Sequence, residues 1–307
     1  MENNFQCDIV VLYVTEHDEN WVNLYNQYKK ESLDEVEYLR YRETNILKYV
    51  LRSIDKNIPW INKVFLVVQS DSQVPEWVNR EEVNVVLHEE FIPKEYLPTF
   101  NCNTIELFMH KIPNLSDYFI YFNDDMIVNK YCYANNFFYN GKCNLLSFKK
   151  NTPIGKNTWF NCLYNNTRII NNFLKKEEDI NTWHRFPHTI TPLYKPMCEE
   201  AYGNFEKEIK SRITRFRDYI NFNQHFYAYY IENSSMCSNI PVTVNYVNIN
   251  KYYKTFLQNA NAQTLCINDS VISDVNEILK FHKIIVNDLE HKFPKESKYE
   301  KKRSCIT

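Results

Sequence analysis

The run Asp8-Ile9-Val10-Val11-Leu12-Tyr13-Val14 constrains the fold more than any other stretch of the chain. A short, continuous apolar segment rich in β-branched residues reads as a strand buried on both faces, central in a parallel sheet. The polar loop 15–20 follows it, carrying Glu16, His17 and Asp18. Loops at the carboxyl ends of such strands are where open α/β sheets bind ligands. Residues 33–57 show helical spacing at Leu39, Ile46, Leu47, Val50, Leu51 and Ile54, and Pro59-Trp60 stops the helix. Lys63-Val64-Phe65-Leu66-Val67-Val68 predicts a second strand and residues 83–87 a third. Strand, helix and strand in this order predict an α/β fold with a parallel sheet.

Further along, the pattern predicts a helix over 103–111, with Glu106 and His110 one turn apart on one face. A strand is expected over 117–122, a basic helix over 196–218, an aromatic core helix over 222–231, a β segment over 242–249 and an amphipathic helix over 275–290. Residues 151–173 carry no clear period. The Lys/Glu-rich end, 292–303, reads as a solvated tail.

At 307 residues the chain suits one large α/β domain. The expected division is a catalytic domain over 1–291, with a helical insert at about 151–235, and a charged tail over 292–307. The net charge of -2 gives no electrostatic footprint for nucleic acid, so none is expected as a partner. Nine cysteines without a CxxC pair fit a reducing cytoplasm better than a disulfide framework. Residues 1–8 lack the apolar core of a signal peptide. No apolar run approaches the roughly 18 residues of a membrane span. The expectation is a cytoplasmic protein, soluble or peripherally attached to the inner face of the membrane.

The chemistry concentrates in a few places. Asn123-Asp124-Asp125 closes the strongly apolar stretch before it. Neighbouring carboxylates point to opposite faces along a strand, but at a strand end the turning backbone lets both converge. Their hard oxygens suit Mg²⁺ or Mn²⁺, and a free carboxylate is a candidate general base. Read alone, the same tripeptide is also an ordinary turn. His188, in Trp183-His184-Arg185-Phe186-Pro187-His188, is either a proton donor or acceptor or a packed core histidine. Lys210-Ser211-Arg212-Ile213-Thr214-Arg215-Phe216-Arg217 offers guanidinium forks for phosphate, or forms an exposed helical face. Cys266-Ile267-Asn268-Asp269 caps the following helix or helps to ligate metal. A glycine-rich phosphate loop, a nucleophile elbow and an HExxH motif are all missing.

A longer ordered set of residues resembles the Stealth family, hexose-1-phosphate transferases of microbial capsule and surface-glycan synthesis that include the animal GlcNAc-1-phosphotransferase. The set begins with Leu51-Arg52-Ser53-Ile54, Pro59-Trp60-Ile61 and Val64-Phe65-Leu66-Val67. It continues through Pro75-Glu76-Trp77-Val78-Asn79, Tyr96-Leu97-Pro98-Thr99-Phe100-Asn101 and Thr104-Ile105-Glu106. After His110-Lys111-Ile112-Pro113 it closes on Tyr121-Phe122-Asn123-Asp124-Asp125-Met126. The similarity spans roughly residues 8–290 and is tightest over 49–128. The chain departs from the family in three places. Tyr13-Val14-Thr15-Glu16 replaces a Trp-Val-Asp-Gly-like turn, Asn45-Ile46 replaces an acidic pair, and Lys48 replaces an arginine.

The resemblance implies a Rossmann-like, mainly parallel sheet similar to nucleotide-diphospho-sugar transferases, with a helical insert. It implies catalytic roles for Glu106, Asp125, His188 and Arg217, with His184 a close competitor of His188. Asn123, Arg52, Asn101 and Arg215 would bind substrate, and Asp124, Asn268 and Asp269 would hold Mg²⁺ or Mn²⁺. The implied reaction moves a hexose- or N-acetylhexosamine-1-phosphate from a UDP-sugar to a glycan hydroxyl and releases UMP. The acceptor would be a polysaccharide or a lipid-linked oligosaccharide. The alternative is a metal-dependent glycosyltransferase that attacks the sugar carbon and releases UDP. A third possibility is a glycan- or nucleotide-binding protein without turnover.

Overall fold

In the computed structural model the described residues are 5–32, 40–155, 157–248, 261–268 and 275–302. The first apolar run forms β1 (Cys7–Leu12), every residue of it buried. It is the middle strand of five, between β4 (Tyr118–Asn123) and β2 (Val64–Val68), with β10 (Thr191–Tyr194) beyond β4 and β3 (Val83–Leu87) beyond β2. It runs parallel to β2 (Val64–Val68) and β4 (Tyr118–Asn123), with Val10 opposite Phe65 and Tyr121. β3 (Val83–Leu87) continues the parallel set. Burial on both faces explains why β1 and β2 are apolar without alternation. The sequence expectation of a Rossmann-like, mainly parallel sheet holds.

The helix expected over 33–57 begins later, as α2 (Leu47–Asn57), just after Asn45 takes a left-handed backbone (φ 57); residues 33–39 lie outside the described residues. Ahead of it, α1 (Glu19–Tyr28) is capped by Asp18, whose side chain accepts from the Asn20 amide. α2 holds β5 (Met126–Val128) in place: Ser53 Oγ accepts from the Val128 amide at 3.0 Å, and Asn57 donates to the Val128 carbonyl at 2.6 Å. α3 (Cys102–Phe108) is capped by Asn101.

The segment 151–235 carries four helices: α4 (Thr158–Phe173), α5 (Lys195–Asn204), α6 (Glu206–Lys210) and α7 (His225–Glu232). It also returns a strand to the central sheet. β10 (Thr191–Tyr194) pairs antiparallel with β4, Leu193 opposite Phe119. β6 (Phe138–Tyr139) and β7 (Lys142–Cys143) form a hairpin, and β8 (Phe148–Asn151) pairs with β9 (Thr182–Arg185). Two expectations need correction. The basic helix of 196–218 ends at Lys210, and Arg212, Arg215 and Arg217 lie in irregular chain. The described part of the expected solvated tail, up to residue 302, is docked rather than frayed: Tyr299 and Glu300 are buried, and Asn79 and Lys301 make backbone hydrogen bonds across it.

A second sheet of three strands completes the framework, in the order β11-β12-β5. β11 (Val244–Asn248) runs parallel to β12 (Thr264–Asn268), and β12 pairs antiparallel with β5, Cys266 opposite Met126. α8 (Val275–Lys292) follows.

Candidate active site

β4 ends at Asn123 and β5 starts at Met126, so Asp124 and Asp125 are the turn between them. β12 is fastened to this turn, because the Ile267 amide donates to the Asp125 carbonyl at 2.9 Å. Asn123, Asp124, Asp125 and Asn268 all line one cavity of about 490 Å³ at the carboxyl edge of the central sheet. Glu106 reaches it from α3, His188 from the loop between β9 and β10, and Arg217 from the irregular chain before α7. Residues separated by more than 150 positions in sequence thus share one space.

Glu106 is buried, and its carboxylate accepts from the Tyr121 hydroxyl at 2.7 Å and from the backbone N–H of Gln224 at 2.9 Å. Burial pushes its pKa up to about 7, although those two donors and Arg217 pull the other way. Asp124 is also raised well above the usual carboxylate range, first by burial, then by Asp125 and by Glu43. His188 goes the other way. Burial, then Arg217 and Arg185, bring it down to about 4, so its ring is neutral at pH 7. The imidazole stands edge-on to Trp159, with centroids 6.0 Å apart. Arg217 donates to Cys102 Sγ at 3.1 Å.

Cys266 is fully buried, and its thiol donates to Asp125 Oδ2 at 3.6 Å. One ligand atom each from Asp125, His188 and Cys266 lies within 4.8 Å of the others. This oxygen, nitrogen and sulfur set is mixed in softness and does not match the oxygen preference of Mg²⁺. The acidic turn offers oxygen donors instead: Asp124 and Asp125 are adjacent carboxylates, and Asn268 lines the same cavity. Asp269 lies outside the described residues.

Three expected substrate contacts are corrected. Arg52 is buried, pairs with Glu300 and Glu290, and does not line the cavity. Asn101 is fully buried and ties α3 to Thr214, Phe216 and Asn221. Arg215 pairs with Glu31 and lies over Tyr28. Each is a packing or capping residue. His184 also lies outside the cavity, bonded to Ser147 through Nδ1 and facing Glu178 through Nε2. His110, expected beside Glu106, packs instead against Tyr202 and Tyr227. The cavity lining adds residues that the sequence reading missed, among them Arg40, Arg42 and Arg185. Arg185 carries the clearest signal, a cation within the same short motif as His188, lying over the Trp159 ring at 5.4 Å.

A family model described as Stealth protein CR2, conserved region 2, matches residues 40–145. The capsular polysaccharide phosphotransferase fcs1 of Haemophilus influenzae is 34% identical over 300 residues, covering 89% of this chain and 81% of that protein. The capsular polysaccharide phosphotransferase SacB of Neisseria meningitidis serogroup A is 31% identical over 319 residues, covering 98% of this chain and 58% of that protein. Among solved structures, the galactosyltransferase LgtC in complex with donor and acceptor sugar analogs aligns with a TM-score of 0.38 at 8% identity, over 91% of this chain and 95% of that one.

Proposed function

The chain belongs to the Stealth family of phosphotransferases, and we propose that it transfers a hexose- or N-acetylhexosamine-1-phosphate from a UDP-sugar to a glycan hydroxyl in capsule or surface polysaccharide synthesis, releasing UMP. One observation carries this reading: Glu106, Asp124, Asp125, His188 and Arg217 meet in a single cavity at the carboxyl edge of a parallel sheet. Open α/β sheets place their ligands at that edge.

In this reading the acceptor oxygen attacks the β-phosphorus. The bond from that phosphorus to the bridging oxygen breaks, UMP leaves with the electron pair, and the acceptor proton passes to the enzyme. Asp125 takes that proton, alone or with His188, whose neutral ring is free to accept it. Arg217 and Arg185, both lining the cavity, face the charge spread over the phosphoryl oxygens. Glu106 orients the acceptor or Asp125. Asp124, with Asn268 and Asp269, would hold Mg²⁺ or Mn²⁺, which would supply charge neutralisation on the phosphates. The acceptor is a polysaccharide or a lipid-linked oligosaccharide; a lipid-linked one would place the protein at the inner face of the membrane. No helix among the described residues is long and apolar enough to cross a membrane.

The test is a panel of UDP-sugars with Mg²⁺ or Mn²⁺, with the nucleotide product identified. UMP supports phosphoryl transfer, whereas UDP supports the alternative, a glycosyl transfer at the sugar carbon. Asp125→Asn, His188→Ala and Arg217→Ala are each expected to cut turnover strongly. Near wild-type rates in all three would overturn the site assignment.

A further inference from the structure

The cavity extends away from the acidic turn, along the carboxyl edge of the sheet, past β1 to the ends of β2 and β3. Two polar atoms on its lining residues there are buried without a hydrogen-bond partner, Oε1 of Gln69 just after β2 and Nδ1 of His88 just after β3. Buried polar atoms are nearly always satisfied in native proteins, so two of them on neighbouring residues that line one end of the cavity call for an explanation. Both residues are held firmly. The backbone N–H of Gln69 donates to Gln73 Oε1 at 3.4 Å, and Gln73 Nε2 donates to the Thr15 carbonyl at the same distance. The His88 carbonyl accepts from the Ile92 amide at 2.9 Å, and its ring stands edge-on to Phe91.

Resting on the UDP-sugar reading above, we propose that Gln69 and His88 bind the edge of the uracil base and set the specificity for a uridine nucleotide. Uracil presents an N3–H donor flanked by two carbonyl acceptors. The orphaned Gln69 oxygen accepts the N3–H. The His88 ring is neutral at pH 7, because burial brings its pKa down to about 3, so it carries one N–H for a carbonyl oxygen. Cytosine has a bare lone pair at N3 and would set acceptor against acceptor. Spacing agrees as well. Adjacent strands lie about 4.8 Å apart, so β2 and β3 stand roughly 10–14 Å from β4. That is the reach of an extended nucleoside diphosphate laid along the edge, base at β2 and β3 and phosphates at the acidic turn.

The test is calorimetric binding of UMP, CMP and N3-methyl-UMP to the full chain. The expected result is UMP binding at least about tenfold tighter than either of the others, since each of them leaves the buried acceptor unmatched. Gln69→Leu should collapse that preference to within about twofold, by weakening UMP rather than by improving CMP, and His88→Phe should weaken UMP with the fold intact by circular dichroism. Equal binding of the three nucleotides by the wild type overturns the proposal without recourse to any variant. Retained discrimination in both folded variants overturns it too. The outcome is separable from the transfer reading: release of UDP in turnover with base discrimination intact sinks that reading alone, and release of UMP with discrimination unaffected by either variant sinks this one alone.

Discussion

Tyr121 donates its hydroxyl to Glu106 at 2.7 Å, and both side chains are buried, Glu106 in the lining of the cavity. Two donors and a nearby guanidinium favour the carboxylate, yet burial outweighs them and the pKa rises from 4.5 to about 7. An acid raised on folding makes the native state bind more protons than the unfolded one. Its contribution is therefore most favourable below pH 4.5 and is lost as pH climbs through 7. The shift corresponds to roughly 3 kcal/mol. Glu106→Gln removes the titrating group. Between pH 4.5 and 8 the variant should gain about that much stability relative to wild type, measured by urea unfolding across the range. A difference that stays flat with pH would show that Glu106 titrates normally.

The two candidate histidines separate cleanly. His188 lines the cavity with a neutral ring, whereas His184 is engaged by Ser147 and Glu178 outside it. His188→Ala should lower UMP release by about 10²–10⁴, the usual contribution of a proton-transfer group, with little change in KM for the UDP-sugar. His184→Ala should stay within a few-fold of wild type. The reverse pattern in steady-state kinetics would reassign the catalytic histidine.

What was legible in the sequence follows from which forces are local. β1, β2 and β4 are apolar on both faces, so their pattern announces a buried parallel sheet, and the acidic turn was readable because it ends such a strand. The start of α2 was not, because the apolar spacing runs on upstream while the backbone at Asn45 interrupts it. Arg52, Asn101 and Arg215 looked like ligand-binding residues because side chains that satisfy buried partners and side chains that bind substrate are drawn from the same polar set. Partners distant in the chain decide between them, as Glu300 does for Arg52, 248 residues away. Arg40, Arg42 and Arg185 were missed for the complementary reason, since it is the fold that brings them to the lining of this cavity.

The corrected role of Arg52 gives a stability prediction. Its guanidinium makes a two-pronged contact with Glu300, at 2.8 and 3.0 Å, and also donates to the Phe293 carbonyl, so it fastens the C-terminal segment to α2. Truncating one partner of a buried pair strands the other charge. Arg52→Ala should cost about 3–5 kcal/mol in denaturant unfolding. The KM for the UDP-sugar, measured at a temperature where the variant is folded, should not move. A raised KM at unchanged stability would restore Arg52 to the substrate site.

The acidic turn makes the last prediction. Asp124 is raised by burial, then by Asp125 and Glu43, so on the proposed reading protons would compete with a divalent cation for it. Metal affinity should then rise with pH through that elevated pKa and level off above it. A chelator should abolish turnover, and Mg²⁺ or Mn²⁺ should restore it. Losing a group that merely orients a metal ligand costs about 10–100-fold in affinity, so Asp124→Asn should raise the Mg²⁺ requirement at least that far. The variant should also flatten the pH dependence, because the competing proton site is gone. Thermal melts supply a readout independent of turnover: Mg²⁺ should raise the melting temperature of the wild type more at pH 8 than at pH 5.5, and should do neither in Asp124→Asn. Melts insensitive to Mg²⁺ at both pH values would remove the metal from this turn.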